Sequence, residues 1–384
     1  MPDFYEFFAG GGMARAGLGS DWTCCFANDF DFKKAEVYKA NWGAKALKVE
    51  DVRKLELSDL PGTADLAWAS FPCQDLSLAG GGAGLRGDRS GTFWPFWHLI
   101  KALRADGRAP RVVVLENVCG TLTSHNGKDF SAIASALADE GYKFGAVVID
   151  AALFVPHSRQ RLFVIGVRED VAIAPGLTVE QPLQRWHTNS LRVAHERLTK
   201  KTRESWVWWS LPAPAERNVC FADLIEDKPT GVVWHTESET KRLLSMMSEL
   251  NAQKLEVVKK SGRLMVGAIY KRTRHDEDGE KVQRAEVRFD DIAGCLRTPA
   301  GGSSRQLILV VKGQKVRSRL ISSRETARLM GLPDEYELPE NYNEAYHLTG
   351  DGVVVPVVRH IAEHLLEPIL NVGSSTKLKS RAAA

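Results

Sequence analysis

The sequence contains no run approaching eighteen uninterrupted apolar residues, which excludes a membrane-spanning helix of the usual kind. It is poor in cysteine: Cys24, Cys25, Cys73, Cys119, Cys220 and Cys295 are all there are, and no two stand as Cys-x-x-Cys. That spacing argues against a structural zinc site and against a disulfide framework. Each cysteine is then either a core thiol or a reactive one, to be judged by its neighbours. The first residues, Met1-Pro2-Asp3-Phe4-Tyr5-Glu6, lack the basic and apolar regions of a secretory signal, so a cytoplasmic location is expected. No internal repeat is evident. Nor is the composition that of a disordered chain, with 44% apolar and 26% charged residues among 384. That length suits one large domain or two unequal ones.

The net charge of +3 is small, but it is unevenly placed. Residues 181–317 hold 25 Lys/Arg against 17 Asp/Glu, a surplus of +8, while the flanks are slightly acidic. A basic middle suits a polyanionic partner, although a solvated lysine-rich surface would look the same.

Through residue 170 the chain alternates short apolar runs with helical patterns. Strands are expected at residues 4–8, 22–28, 65–70, 111–115, 146–150 and 162–167, and helices at 13–18, 32–41, 92–104 and 130–140. This rhythm predicts an α/β fold with a doubly wound, Rossmann-like parallel sheet and ligands at the carboxyl ends of its strands. After about residue 170 the rhythm breaks. A tryptophan cluster (Trp206, Trp208, Trp209) is expected to form the core of a second, smaller domain, and residues 271–280 an exposed hairpin or loop. A helix at 322–330 and a long closing helix at 353–370 follow, and the tail 373–384 reads as flexible.

Four constellations carry chemistry. Phe8-Ala9-Gly10-Gly11-Gly12 stands at a strand-to-helix turn, where glycines permit left-handed backbone and close approach of a ligand. Asp29 at the next strand end suits a ribose diol, and Asp51 follows the next short segment. Together they point to an adenosine-bearing cofactor, although a glycine-rich turn by itself is often only a tight turn. Phe71-Pro72-Cys73-Gln74 places a thiol at a strand end, either as a positioned nucleophile or as an ordinary core cysteine. A long glycine-rich loop, residues 76–91, comes next. Glu116-Asn117-Val118 ends another strand, and Arg159-Gln160-Arg161 precedes one, its arginines sharing one face of an extended segment. Taken singly, these last two would be structural ion pairs.

Taken in order, the four motifs resemble those of the DNA (cytosine-5) methyltransferase family of bacterial type. The segments Arg319-Leu320-Ile321-Ser322-Ser323-Arg324-Glu325 and Tyr346-His347-Leu348-Thr349-Gly350-Asp351-Gly352-Val353 extend the likeness. It covers residues 1–170 and about 295–370. The resemblance implies a catalytic domain of residues 1–175 and 318–372, with a target-recognition domain at 176–317. It implies that Cys73 adds to carbon 6 of a cytosine flipped out of double-stranded DNA, that Glu116 bonds ring nitrogen 3 and the exocyclic amine, and that Arg161 holds the carbonyl oxygen. Arg159 would hold backbone or phosphate, and Asn117 would position the cysteine loop. S-adenosylmethionine, leaving as S-adenosylhomocysteine, would be held by Phe8, Gly10, Gly12, Asp29, Phe30 and Asp51, with Phe93 and Val353 lining the pocket. Ser77 and Arg89 in the loop would face the target strand. No metal is implied. A monomer acting in the bacterial cytoplasm on the nucleoid, alone or beside a separately acting restriction endonuclease, is the expected setting. Met13, His157 and Asp351 depart from the usual motif residues.

In the middle segment the DNA contacts are expected from Lys271, Arg272, Arg274, Arg284 and Arg288. Arg305 and Gln306 would read guanine and adenine edges. Two rivals share the scaffold: an RNA methyltransferase, against which stands the absence of the Cys-Phe-Thr tripeptide, and a catalytically idle DNA-binding regulator.

Overall fold

The computed structural model describes residues 1–72, 85, 90–275, 278–296 and 305–371. The chain divides into two units. One comprises residues 1–150, 160–214 and 353–384, the other 151–159 and 215–352.

The first unit is built on a seven-stranded sheet. Its strands are β1 (Asp3–Phe7), β2 (Thr23–Asp29), β3 (Leu47–Val49), β4 (Leu66–Ala69), β5 (Val112–Val118), β6 (Tyr142–Asp150) and β7 (Gln160–Arg168). Their order is β3-β2-β1-β4-β5-β7-β6. All run parallel except β7, which pairs antiparallel with both β5 and β6. The inner strands are buried on both faces, which is why they read as continuous apolar runs and not as alternating ones. The helices are α1 (Met13–Leu18), α2 (Phe32–Trp42), α3 (Phe93–Ala105) and α4 (Lys128–Asp139). From β1 the chain winds outward to β2 and β3, then returns to β4 and β5 on the other side. The topological switch point therefore lies between β1 and β4, and both the Phe8–Gly12 turn and the Phe71-Pro72 segment leave the sheet there.

The reversal of β7 has a consequence the strand pattern alone does not reveal. Its first residues lie at the carboxyl edge of the parallel strands, with Arg161 paired to Val118. The arginine motif thus reaches the ligand edge by starting a strand, whereas the other motifs end one.

The expected domain boundaries at 175 and 317 differ from the units found. Residues 176–214 pack on the large sheet: β8 (Thr178–Val179) and β9 (Trp208–Trp209) form a small ribbon, and α5 (Asn189–Glu196) and α6 (Lys200–Glu204) lie between them in sequence. The tryptophans are core, as expected, but core of this first unit. Trp209 is buried and donates its indole N–H to the Ile165 carbonyl, and the Trp206 ring meets Phe130 and Phe144 edge-on. Gly145 permits the approach, since a Cβ there would stand 2.0 Å from the Val207 carbonyl.

The second unit carries α7 (Glu237–Ser245), α8 (Glu249–Ser261) and an antiparallel sheet of β10 (Leu264–His275), β11 (Lys281–Arg288), β12 (Leu307–Lys312) and β13 (Lys315–Leu320), ordered β11-β10-β12-β13. Leu243, Leu255 and Val258 from the helices close over Ile269, Val287, Leu309 and Val311. After them come α9 (Ser323–Leu329) and α10 (Tyr342–Asp351). Residues 318–352 belong here because β13 pairs with β12 and because fully buried Arg319 is ion-paired to fully buried Glu325. The same Glu325 accepts the Ser322 N–H at 2.8 Å, closing a capping box at the start of α9. His157 joins residues 151–159 to this unit. Its Nε2 accepts the Leu296 N–H at 3.2 Å, which leaves Nδ1 to donate to the Leu329 carbonyl.

Back in the first unit, α11 (Val355–Ile361) lies on α1, where the bare Cα of Gly17 abuts Val358. The expected single closing helix is interrupted by a π-helical turn at Ala362–Leu366.

Candidate active site

The glycine turn begins with strain. Phe8 has φ +58°, unusual for a side chain of that size, and Gly10 and Gly12 follow at +55° and +78°. The turn is held by three backbone anchors: the Ala9 N–H to Asn28 O, the Gly12 N–H to Ala9 O, and the Gly10 N–H to Asp29 Oδ2 at 2.7 Å. A Cβ at Gly10 would meet nothing within 4 Å, so the turn borders open space there. Asp29, 7% exposed, also accepts the Asp31 N–H through Oδ1 at 2.9 Å. Burial raises its pKa, an effect partly opposed by Lys34 and these two N–H donors. Each carboxylate oxygen retains a lone pair for a further donor.

Phe30 is 69% exposed immediately beyond Asp29. Asn28 ties the neighbouring strand exit to this corner, donating to Lys48 O at 3.1 Å and Glu50 O at 2.8 Å, so that Asp51 follows directly. Asp51 caps the next turn through the Arg53 N–H. Val353 is buried, and Phe93 is wholly buried against Phe71 and Trp97. The Phe93 ring therefore supports the Phe71 segment from the core and has no exposed surface of its own with which to line a pocket. An open turn, a buried acid with spare lone pairs and an exposed aromatic ring form a set that fits an adenosine-bearing cofactor.

At the ends of β5 and β7, Glu116 and Arg161 meet across the antiparallel register, Arg161 Nε lying 3.2 Å from Glu116 Oε1. Their side chains are 8% and 16% exposed, so the pair sits at the edge of the core with little water around it. Asn117, one residue on, donates through Nδ2 to the Phe71 carbonyl at 3.1 Å, while its Oδ1 accepts from the Val118 N–H and the Thr121 hydroxyl. This fixes the backbone two residues before Cys73. Cys73, Ser77 and Arg89 themselves lie outside the described residues. Leu85, from the same stretch of sequence, is buried and donates its N–H to Asp129 Oδ1 at 3.2 Å.

Arg159 belongs to the second unit. Of the two roles weighed for it, backbone or phosphate, it is backbone that the guanidinium holds: it donates to Gly350 O at 2.8 Å, Gly352 O at 2.7 Å and Leu296 O at 3.4 Å, and is 2% exposed. Gln306 corrects its expectation. It is buried, and its amide N–H groups go to Leu307 O at 2.9 Å and Ile269 O at 3.3 Å, so the side chain that would read adenine is committed to the sheet. Arg305 lies 5.6 Å over the Tyr342 ring and bonds Asn343. Of the hairpin arginines, Arg272 and Arg274 are exposed, and the register places Arg272, Arg274, Arg284 and Arg288 on the hairpin face opposite buried Ala285 and Val287. Glu286 pairs with both Arg272 and Arg274 on that face.

Two residues near the glycine turn were missed in the sequence. Trp42 donates its indole N–H to the Gly11 carbonyl at 2.9 Å. Glu6, in the middle of β1, is 1% exposed; Oε1 accepts the Arg15 N–H, and Oε2 finds no hydrogen-bond partner among the described residues. Only a charged residue inside an apolar strand hints at the second. Burial pushes the Glu6 carboxyl up to about 8, against the Arg15 N–H and guanidinium, with Asp29 adding to the rise. The native state thus keeps this proton where the unfolded chain, with its pKa at 4.5, has lost it. Its contribution to stability is full below pH 4.5 and is lost as pH rises through 8, by at most about 1.4 kcal/mol per pH unit. Thermal unfolding of Glu6→Gln against the parent chain across pH 5–9 tests this. The parent should lose stability relative to the variant as pH rises, and a constant difference would refute it.

Among the described residues no group of acidic, histidine and cysteine side chains is placed to hold a metal, and no helix is long and apolar enough to cross a membrane.

Comparison with known proteins identifies relatives along nearly the whole chain. The chain is similar over 98% of its length to the type II methyltransferase M.HhaI of Haemophilus parahaemolyticus, with 26% identity and 95% of that protein covered. It is also 26% identical to the type II methyltransferase M.BsuFI of Bacillus subtilis, over 96% of this chain and 73% of that protein. Among solved structures, the Dnmt2 methyltransferase of S. pombe shares the fold at a TM-score of 0.57, with 18% identity, 96% of this chain and 99% of that one covered. The model of C-5 cytosine-specific DNA methylases matches residues 3–367, and the chain belongs to that family of DNA methyltransferases.

Proposed function

We propose that this enzyme methylates carbon 5 of a cytosine within a short sequence of duplex DNA, acting on a base swung out of the helix. The observation that carries the reading is the Glu116–Arg161 pair beside the Asn117 clamp on Phe71, at the same sheet edge as the open glycine turn. A cytosine ring offers an amine and a ring nitrogen to a carboxyl group and a carbonyl oxygen to a guanidinium. A carboxyl and a guanidinium already adjacent and shielded from water present both partners together.

Cys73 would add to carbon 6, turning carbon 5 into an enamine-like nucleophile; loss of the carbon-5 proton and of the cysteine then restores the ring. S-adenosylmethionine, when bound, supplies the electrophilic methyl group. Gly10, Gly12, Asp29, Phe30 and Asp51 would hold it, with Phe8 setting the turn and Val353 beneath. Asn117 acts through backbone, positioning the segment that carries the thiol. Flipping is required because carbons 5 and 6 are otherwise enclosed in the base stack. Ser77 and Arg89 are assigned to the target strand.

The basic hairpin would meet phosphate. Arg272 and Arg274 share the partly exposed Glu286 in ion pairs at the surface, worth about 0–1 kcal/mol, which a phosphate replaces at little cost; Arg272 also lies 5.5 Å over the Tyr270 ring. Action as a monomer in the cytoplasm, alone or beside a restriction endonuclease, belongs to the same proposal; of this setting, the type II names of its relatives support the restriction-modification context. Transfer of a labelled methyl group from S-adenosylmethionine to duplex DNA, with transfer RNA in parallel, tests the substrate. Bisulfite sequencing of DNA from expressing cells then reads the site. Label entering only the RNA would overturn the proposal.

A further inference from the structure

The turn assigned to the cofactor is gripped from behind by the end of α2. Asp31 caps that helix just after Asp29 and Phe30, so its first turn lies at the corner assigned to the nucleoside. Its last turn, one helix length away, presents Tyr38 and Trp42, four residues apart and so on one face, to Gly12. A Cβ on Gly12 would fall 2.4 Å from Trp42 Nε1 and 3.0 Å from the Tyr38 ring, so the two aromatic rings are seated directly against bare backbone. The indole N–H takes the Gly11 carbonyl at 2.9 Å. Trp42 is itself held: the Arg15 guanidinium lies 5.0 Å over its ring and 5.7 Å over that of Tyr38, and bonds the Tyr38 hydroxyl at 3.0 Å. Arg15 in turn is fixed on α1, its N–H on Glu6 Oε1.

We propose that Trp42 is a positioning residue for S-adenosylmethionine, setting the orientation of the Gly11–Gly12 peptide through its indole N–H. The inference rests on the reading that this turn holds that cofactor. The physical argument concerns freedom. A peptide between glycines is the least restrained in the chain, and a turn that must be ordered on binding gives up affinity to do so. With Gly10 N–H on Asp29 and Gly11 C=O on Trp42, the turn is fixed at both ends before any ligand arrives. The carbonyl is also committed to α2, so it does not stand as a competing acceptor before an incoming carboxylate.

Trp42→Phe keeps an aromatic ring beneath Arg15 and removes the N–H donor, together with one ring of the indole. Titration calorimetry should show the dissociation constant for S-adenosylmethionine rising about fivefold, the worth of one neutral hydrogen bond. The KM for the cofactor should follow, while kcat at saturating cofactor and the KM for DNA stay at the parent values. An unchanged dissociation constant in a folded variant overturns the proposal, as does a fall in kcat equal to the rise in KM. A second measurement avoids the variant: in the parent protein labelled with 15N-tryptophan, the Trp42 indole N–H should exchange slowly with solvent, and rapid exchange overturns the proposal equally. If the parent chain binds no S-adenosylmethionine at all, it is the functional reading that fails, whatever the exchange rate shows.

Discussion

Glu116→Gln is expected to reduce methyl transfer by about 10²–10⁴-fold while the protein remains folded. The amide keeps the volume of the carboxyl group and can still accept from Arg161 Nε, so the packing at the ends of β5 and β7 survives. What it loses is the ability to bear charge and to share a proton with the ring nitrogen of the bound base. Arg161 keeps its full positive charge in a site with 16% exposure, now opposite a neutral group. The stability cost should be about 1–2 kcal/mol, below that of breaking a deeply buried pair, because the edge position admits some water. Steady-state kinetics on duplex DNA, with urea unfolding of the same preparation, measures both. A variant with parent activity would remove Glu116 from the chemistry and leave it a structural partner of Arg161.

Cys73→Ser is expected to lower methylation by roughly 10⁴-fold or more and to leave affinity for duplex DNA intact. A serine hydroxyl is not ionised near neutrality and is a far weaker nucleophile toward carbon 6 than a thiolate, whereas the basic hairpin of the second unit is untouched. Gel-shift binding and methyl transfer measured on one preparation distinguish loss of chemistry from loss of fold. Retained methylation would contradict the assigned nucleophile.

Much of this was legible in the residues, and what was not has identifiable causes. The inner strands of the central sheet are flanked by helices and buried on both faces, so their apolar runs stand out, and the motifs at their ends can be placed by the rule that ligands gather at carboxyl edges. The direction of β7 was not legible, because an apolar run looks the same whichever way it is read; only pairing with β5 shows that Arg161 starts a strand at the ligand edge. The tryptophan cluster was recognisable as core, but which core depended on Gly145 leaving room for the Val207 backbone, a contact 62 residues apart in sequence that no local pattern encodes. Gln306 misled for the opposite reason. Its position just after a glycine and serine run suggested exposure, yet the second residue beyond that run turns inward and spends its amide on Ile269 and Leu307. Trp42 was silent because an aromatic residue at a helix end is ordinarily packing, and its hydrogen bond to Gly11 is visible only in three dimensions.

The central claim, a transient bond between one sulfur and a flipped cytosine, is tested most directly by trapping it. Duplex DNA carrying 5-fluorocytosine at the target site, incubated with enzyme and S-adenosylmethionine, should yield a denaturation-resistant protein–DNA adduct, because fluorine cannot leave as the carbon-5 proton does. Peptide mapping should place the linkage on Cys73, and the adduct should be absent without cofactor and with Cys73→Ser. A preparation that methylates ordinary DNA at that site but forms no adduct, or forms one at another residue, would contradict the account.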